Sequence, residues 1–448
     1  MTRTHAYIAI IAAAAALTAC NHDEYTGEVI EDDPNIYQTE PMPVMINLGD
    51  SPYETATKGN GAFGDLAELD PLDSAVWREA VFYVYSFSKE PGSDLRTRWS
   101  DAGNDGDICL IDATRHDLDS ARLDMGKAAK LNTSDYKLLE WRDNPDSTVY
   151  YNTRDYYRSY DFFVYHIGDA EVSSVDRQSD HIDIRLQIDG SQDLLGGKAA
   201  LTDGQKAMIA SKEQGDEIMA NHYSTFSANH EVNPYVQLDH YLTKVRFELY
   251  PGGDLKDERD SSACFESYIR RVEIDSQTAA TMTVATNDEA AWPLQLTFDE
   301  RTSRLVLKER YLTDDGKVSD KDSHGNDSIP VKRLDFHEED MDKDDPYDRI
   351  PQPLGGHLLI APTDVMTVRI SMYNDRSDND DLQGDENMPP LHLYPPEGAA
   401  MFEAGKSYVV KLAIYGYQQI EAQIGIEPWI TGEDHKEEID PDDMINGY

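Results

Sequence analysis

The clearest structural signal in this chain is carried by residues 408–426, which read YVVKLAIYGYQQIEAQIGI. Every second residue from 408 to 414 is apolar, and the same alternation returns from 420 to 426, after the Tyr415-Gly416-Tyr417 turn. Alternation with a period of two is typical of a strand that buries one face, and a short glycine-containing turn between two such runs predicts a hairpin. We therefore expect two antiparallel strands near the end of the sequence.

The same strand-and-turn pattern continues through the rest of the chain, with one helical stretch at Thr202–Lys212. Many short strands joined by turns are typical of antiparallel β-sandwiches. The predicted fold class is therefore all-β, and 448 residues, against the ~150 residues of a typical domain, suggest two sandwiches with tails. The further predicted strands are Val44–Leu48, Ala80–Phe87, Asp161–His166, His181–Ile188, Tyr235–Tyr250, Tyr268–Ile274, Leu294–Phe298, Leu305–Leu307, His357–Ile360 and Thr367–Met372. Among these, the aromatic-rich run Ala80–Phe87 predicts a strand that packs on both faces.

The composition excludes two classes of direct ligand. Acidic residues number 86 against 40 basic residues, which gives a formal net charge of −46. Such a chain repels polyanions, so we expect neither nucleic acid nor an anionic membrane surface to bind it directly. The three cysteines are too few for a disulfide framework. Cys109 and Cys264 either pair in an oxidising compartment or, as we prefer, lie buried as small apolar groups.

The first twenty residues indicate export. An alanine-rich apolar run, Ile8–Leu17, follows the basic Arg3, and it is shorter than the ~20 residues that a transmembrane helix needs. It ends in Leu17-Thr18-Ala19-Cys20, which looks like a bacterial lipobox. We expect Cys20 to be lipidated and to anchor the mature protein in the outer membrane, at the cell surface. The alternative is an ordinary secretory signal with an incidental cysteine.

Acidic stretches separate several of the predicted strands, at residues 311–350 and 374–387, and another forms the tail at 433–448. Solvated loops are the interpretation that we prefer. A calcium loop is the alternative at residues 320–325, but Val331 stands where the twelfth position of such a loop requires a bidentate glutamate. We therefore predict no metal site.

The chemical motifs of common enzymes are missing from the sequence. There is no nucleophile elbow, no glycine-rich phosphate loop and no dinucleotide fingerprint. His230-Glu231 and His337-Glu338 begin like zinc motifs, but no histidine follows at the required spacing. We expect no catalytic residues and no cofactor, and hence a protein that is not an enzyme.

Several segments of the chain resemble the fimbrillin family, the lipoprotein-derived subunits of type V pili. Each motif is short, and the match to the family is specific because the motifs occur in this order behind a lipobox. The segments that carry the resemblance are Gly215–Ala220, Leu238–Phe247 with His240, Leu242, Thr243 and Lys244 in place, Pro353–Pro362, Phe402–Tyr408, Ile426-Glu427-Pro428-Trp429 and, near the start, Thr57-Lys58-Gly59.

The resemblance implies two transthyretin-like β-sandwich domains in tandem and a role in building a pilus. The division that we predict is a signal peptide at 1–19, an acidic tether at 20–43, domains at 44–235 and 236–432, and the acidic tail at 433–448. In such assembly, a protease removes the first strand, and a strand from the next subunit fills the groove. The removed strand would carry Val44, Ile46 and Leu48, and the donor strand would carry Ile420, Ala422, Ile424 and Ile426. The alternative is that both are ordinary strands of the mature fold.

One departure from the family concerns processing. Shaft subunits of the family are cut after an arginine beyond the first strand, but between Cys20 and Trp77 this chain has no arginine, and Lys58 is its only basic residue. Either a protease cuts near Lys58, or the subunit stays uncut and serves as an anchor or a free surface lipoprotein. The expected partners are other pilus subunits, the outer membrane through the lipid, and a receptor on host or bacterial cells.

The main rival function is a surface glycan-binding lipoprotein. Such proteins present exposed aromatic platforms, so two coplanar, exposed tryptophans on one face would favour it and buried ones would count against it. The tryptophans available are Trp77, Trp99, Trp141, Trp292 and Trp429.

Overall fold

The computed structural model describes residues 41–48, 71–90, 92–97, 108–111, 125–132, 138–141, 148–152, 155–288, 295–374, 388–417, 419–427 and 429. Strands dominate this part of the chain, which confirms the all-β prediction. No helix within it is both long enough and apolar enough to cross a membrane.

Eleven strands precede residue 241. They are β1 Ile46–Leu48, β2 Phe82–Ser88, β3 Cys109–Ile111, β4 Lys127–Leu131, β5 Leu138–Trp141, β6 Tyr160–His166, β7 Glu171–Arg177, β8 His181–Gln187, β9 Leu195–Lys198, β10 Tyr235–Val236 and β11 Asp239–His240.

The later strands are longer on average, and they include the terminal hairpin. They are β12 Thr243–Pro251, β13 Ser267–Gln277, β14 Ala279–Thr286, β15 Leu296–Phe298, β16 Thr302–Val306, β17 Tyr311–Leu312, β18 Val318–Ser319, β19 Lys332–Arg333, β20 Gln352–Ile360, β21 Met366–Asn374, β22 Leu391–Leu393, β23 Ser407–Gly416 and β24 Gln419–Glu427.

The helices are short, and only one of them is predicted by the sequence pattern. The helix α2, Asp203–Ala210, begins where predicted because the Thr202 hydroxyl accepts from the backbone N–H of Gln205, whose side chain accepts from the backbone of Thr202 in return. The remaining α-helices are α1 Pro71–Glu79, α3 Gly215–Ala220, α4 Thr225–Ala228 and α5 Glu258–Phe265, and two 3₁₀ helices span Glu338–Asp342 and Pro346–Asp348.

A nine-stranded sheet organises the first half of the chain, in the order β10-β1-β5-β4-β2-β6-β9-β11 with β3 on β2. One face packs against α1 to α4, and the other packs against a four-stranded sheet in the order β15-β14-β8-β7. The aromatic strand β2 therefore buries Phe82 and Val84 on one side and Tyr85 and Phe87 on the other, as predicted.

Two further sheets face each other across a separate core. One has the order β20-β12-β23-β24, and the other has the order β16-β13-β21-β22 with β19 on β13. The predicted terminal hairpin is confirmed, because β23 and β24 pair antiparallel from Tyr408↔Ile426 to Ile414↔Ile420. The core between these sheets holds Phe247, Val272, Val368 and Leu412, among others.

The prediction of one long strand at Tyr235–Tyr250 is wrong. Its residues form three strands, because each piece pairs with a different neighbour: Val236 with Leu48, Asp239 with Gly196, and Lys244 with Ser407. Val236, Leu238 and Leu242 stand at even positions, whereas Val245, Phe247 and Leu249 stand at odd ones, so the alternation changes phase where the chain leaves one sheet and enters another.

The predicted domain division at 235/236 stays a prediction, and strand pairing crosses it. The strand β8 pairs with β14 along its length, from His181↔Thr286 to Gln187↔Ala279. Cys109 and Cys264 do not pair with each other: both are buried, and they lie in different cores, Cys109 near β8 and β14 and Cys264 near β13.

The acidic stretch 311–350 is more ordered than a solvated loop. It contains the small hairpin β17–β18, the strand β19 and both 3₁₀ helices, and most of its side chains are exposed. Residues 375–387 and the tail 433–448 lie outside the described residues.

Candidate functional site

The strand β1 lies inside the nine-stranded sheet, between two neighbours. It pairs antiparallel with β5, Ile46 opposite Leu139, and parallel with β10, Leu48 opposite Val236. Its position matters because the chain reaches it within the first fifty residues. A segment close to the start of the protein therefore fills an interior position of the sheet, beside the edge strand β10.

The side chains of this segment alternate between the core and solvent. Val44, Ile46 and Leu48 are 2%, 0% and 3% exposed, whereas Met45, between the first two, is 40% exposed. All three buried side chains belong to the core beneath the nine-stranded sheet. They occupy one row of pockets, as the alternation in the sequence predicts.

Backbone hydrogen bonds hold the same segment on both sides. The N–H of Val44 donates to Val149 O at 2.8 Å, and the N–H of Asn47 donates to Pro234 O at 2.9 Å. If the segment were absent, its neighbours β5 and β10 would each lose a partner and present unpaired backbone groups.

The strand β24 stands at a sheet edge. Within the described residues it pairs with β23 alone. Ile420, Ala422, Ile424 and Ile426 pack, partly buried, against the core between the two later sheets. The predicted alternation is therefore present in this strand, and the donor role that we expect of these residues stays a prediction.

Residues of the resembling segments meet at one junction, although they lie far apart in the sequence. The Lys244 ammonium donates to Trp429 O at 2.9 Å, and the His240 ring lies against the Trp429 ring with centroids 4.1 Å apart. His240 Nδ1 and Asp193 Oδ2 are 2.8 Å apart. Lysine, histidine and tryptophan thus form one buried cluster.

The Phe402–Tyr408 segment closes on the same place. The Thr243 hydroxyl donates to Glu403 O at 2.9 Å, and the N–H of Gly405 donates to Leu242 O at 2.9 Å. Segments that lie far apart in the sequence therefore contact one another in the fold.

The end of β24 is held by a charge pair that sequence reasoning missed. Arg246 Nε and Nη2 donate to the two carboxylate oxygens of Glu427 at 2.6 and 2.8 Å, and the Ser407 hydroxyl donates to Glu427 Oε1 at 3.0 Å. Bidentate pairs of this kind are both strong and directional. In the sequence, a glutamate before Pro-Trp and an arginine inside a strand give no sign that they meet.

A cleft of about 460 Å³ opens beside this junction, within the ~300–1,000 Å³ range of small-molecule sites. Parts of both halves of the chain form its walls. The lining includes Trp77 and Glu79 of α1, His166, Asp169, Gln192, Asp193, His240, Lys244, Arg310, Lys317, Val318, His357 and Trp429.

Two of the lining histidines have shifted acidities. Burial lowers the pKa of His166 below its usual value. Burial, and then the positive charge of Arg310, lower the pKa of His357 well below its usual value. Both imidazoles are therefore neutral at pH 7.

The remaining predicted site residues differ in what the structure says of them. Cys20 and Lys58 lie outside the described residues. Trp77 and Trp429 are buried, and Trp141 packs partly buried at the edge of the first core, with Lys127 Nζ 5.5 Å from its ring centroid. Among the described tryptophans, none forms the exposed coplanar pair that a glycan platform would need. Trp99 and Trp292 are not described.

No protein-family profile matches the sequence. No curated protein matches it either. Solved structures similar to the chain include a candidate cell adhesion protein from Bacteroides uniformis, 13% identical with a TM-score of 0.40 over 87% of this chain and 98% of that one. Another is the fimbrial anchor protein Mfa2 from Porphyromonas gingivalis, 11% identical with a TM-score of 0.29 over 88% and 99%. The tip fimbrial protein Mfa3 from the same organism is 8% identical, with a TM-score of 0.28 over 79% and 96%. The structural neighbours of this chain thus include cell adhesion and fimbrial proteins.

Proposed function

We propose that this protein is a non-catalytic, fimbrillin-like subunit of a type V pilus, exported as a lipoprotein and assembled by strand exchange, and that it serves in cell adhesion. The observation that carries the proposal is the placement of β1. A segment near the start of the chain, which one cut after it would remove with everything before it, fills the second position from the edge of a sheet with the buried side chains of Val44, Ile46 and Leu48.

The energetics of this placement favour replacement over simple loss. Each fully buried aliphatic side chain contributes about 1.5–3 kcal/mol, so three empty pockets represent a large deficit for the cut protein. Unpaired backbone groups on β5 and β10 add to that deficit. A strand that supplies both apolar side chains and backbone partners would recover most of it.

The strand β24 has the features of such a donor. Its apolar residues recur at every second position, Ile420, Ala422, Ile424 and Ile426, which is the spacing of the three pockets. Within the described residues it also stands at the edge of its sheet, with β23 as its one strand partner. A β24 segment from a second subunit could thus fill the groove in register.

The anchoring and the position in the pilus are further parts of the proposal. Lipid on Cys20 would hold the protein in the outer membrane before any cut. Cleavage near Lys58 would release the tether together with β1, and an uncut subunit would remain an anchor. The partners are other pilus subunits and a receptor on a host or bacterial cell.

The first test is mass spectrometry of the protein as it exists on cells. We expect a mature N-terminus just after Lys58 and SDS-resistant oligomers of the subunit. The variant K58Q should keep an acylated Cys20 peptide, retain residues 44–48 and lose the oligomers. K206Q, which changes an exposed lysine on α2, is the matched control and should behave like the wild type. An acylated Cys20 in wild-type oligomers would refute strand exchange by removal of β1.

A further inference from the structure

We propose that the cleft between the two halves of the chain is an acid-operated gate, closed while His166 and His357 are neutral and opened when they take up protons. The gate goes beyond pilus assembly, and it rests on the hydrogen bonds around the two imidazoles. Each ring accepts a hydrogen bond at a nitrogen that must carry no proton.

At His357, on β20, the accepting nitrogen is Nε2. Arg310 Nη1 lies 3.1 Å from it. A guanidinium group can only donate, so Nε2 must offer its lone pair. Protonation would replace that lone pair with an N–H and place an imidazolium against a guanidinium. The contact would change from a hydrogen bond into a repulsion between two cations.

At His166, at the end of β6, both ring nitrogens form hydrogen bonds. Nδ1 lies 2.8 Å from Val81 O, and because a carbonyl only accepts, Nδ1 carries the hydrogen. The N–H of Gly168 donates to Nε2 at 3.2 Å, so Nε2 is unprotonated. A second proton on this ring would break the bond to Gly168 and put charge into a buried site between the rings of Trp77 and Phe82.

The charged groups around the two rings come from several elements. Those that act most on His357 are basic, Arg310 from the segment after β16 and Lys244 and Arg246 from β12, while Asp189, Lys308 and Asp320 line a small pocket beside it. Those facing His166 are mixed: Asp169 from the following turn, Asp193 from the segment before β9, and His240 from β11. Glu79 of α1 and Lys317 and Asp320 of the β17–β18 hairpin complete the charged lining of the cleft. The acidic groups make His166 easier to protonate, whereas the charges that act most on His357 oppose its protonation.

The element that would move is the hairpin β17–β18. Arg310 immediately precedes it and ties its base to two places, His357 on β20 and Ser191 O at 3.0 Å. The hairpin residues Lys317 and Val318 line the cleft, as do Ala75 and Val76 of α1. The Lys308 ammonium, 2.8 Å from Asp320 Oδ2, and the N–H of Glu309, 2.6 Å from Ser328 O, also hold this base. Repulsion at Arg310 would remove one of these ties and loosen the base, and the cleft would open between the hairpin and α1.

Hydrogen exchange of the mature protein, corrected for the intrinsic pH dependence of amide exchange, tests the gate. Between pH 7.5 and pH 5.0 we expect peptides covering residues 309–320 to lose protection at least tenfold, while peptides of β12 and β23 change less than twofold. In H357Q, the glutamine oxygen can accept from Arg310 but cannot take up a proton, so the hairpin should keep its protection at pH 5.0. H392Q changes an exposed histidine outside the cleft and should respond like the wild type.

Two further variants test the roles of the Arg310 charge and of the His166 ring separately. R310Q retains a donor for His357 but removes the charge, so the loss of protection should be at least threefold smaller than in the wild type. H166Q should reduce the acid response at Gly168 and α1. An unchanged hairpin in the wild type at pH 5.0, or an equal loss in H357Q and wild type, would overturn the gate.

Discussion

The ammonium group of Lys244 donates a hydrogen bond to the main-chain oxygen of Trp429, 2.9 Å away and 185 residues later in the sequence. The same ammonium lies 5.8 Å from the centroid of the Trp429 ring. A buried lysine at the start of β12 therefore holds the chain where it leaves β24. This contact accounts for the burial of a lysine in this strand and for a tryptophan just after the last strand.

The first prediction concerns this contact. K244M keeps the length and apolar stem of the side chain but leaves the Trp429 carbonyl without its donor, which should lower the free energy of unfolding by about 1–3 kcal/mol. Urea unfolding followed by tryptophan fluorescence measures it. K206M, an exposed lysine that pairs with Asp203 on the surface of α2, should lose less than about 0.5 kcal/mol. Equal losses in both variants would show that the buried bond contributes nothing.

A second prediction concerns β1. I46A empties the central pocket of the row and should cost about 2–5 kcal/mol in unfolding free energy, provided that β1 is present in the protein measured. M45A, at the exposed neighbouring position, should cost less than about 1 kcal/mol. If I46A is as stable as M45A, the groove at β1 does not depend on apolar filling, and the energetic argument for strand replacement fails.

A third prediction uses two glycines with opposite surroundings. A Cβ at Gly197 on β9 would meet Gln237 O at 2.2 Å, so G197A should destabilise by about 2–3 kcal/mol through overpacking. A Cβ at Gly204 in α2 would meet nothing nearer than 3.8 Å, so G204A should stabilise by about 0.5–1 kcal/mol. Thermal unfolding of the two variants should shift in opposite directions, and shifts of the same sign would contradict the packing of β9 against residue 237.

The fourth prediction is a pH dependence of global stability. The pKa values of His166 and His357 are lowered in the folded protein, so below the ordinary value of about 6.5 the unfolded chain binds more protons. Stability from these residues is therefore complete above pH 7 and is lost as the pH falls below 6.5. Between pH 6.5 and 5.5 the wild type should lose up to about 2 kcal/mol more than H166Q/H357Q in urea unfolding. Parallel losses in the two proteins would contradict it.

The local sequence pattern predicted secondary structure correctly where a strand buries one face along its whole length. The hairpin of β23 and β24 and the helix α2 formed where the sequence predicts them, because period-two alternation and a capping box act over a few residues. The same pattern led to a wrong prediction at Tyr235–Tyr250, where apolar residues alternate with a change of phase after Leu242 while the chain changes its partner from Leu48 to Gly196 and then to Ser407. Alternation reports which face is buried, but it carries no information on which strand lies beside it.

In the candidate site, too, the sequence predicts some features and not others. The buried row of Val44, Ile46 and Leu48 follows from their spacing, since side chains two apart on a strand share a face. The placement of that row between β5 and β10 does not, and neither does the meeting of Arg246 with Glu427 or of His357 with Arg310. The two side-chain contacts join residues 181 and 47 positions apart. The spacing of apolar residues within one strand determines which of its side chains are buried, and this spacing can be read from the local sequence. The residues that they meet across the core depend on how all the sheets pack together.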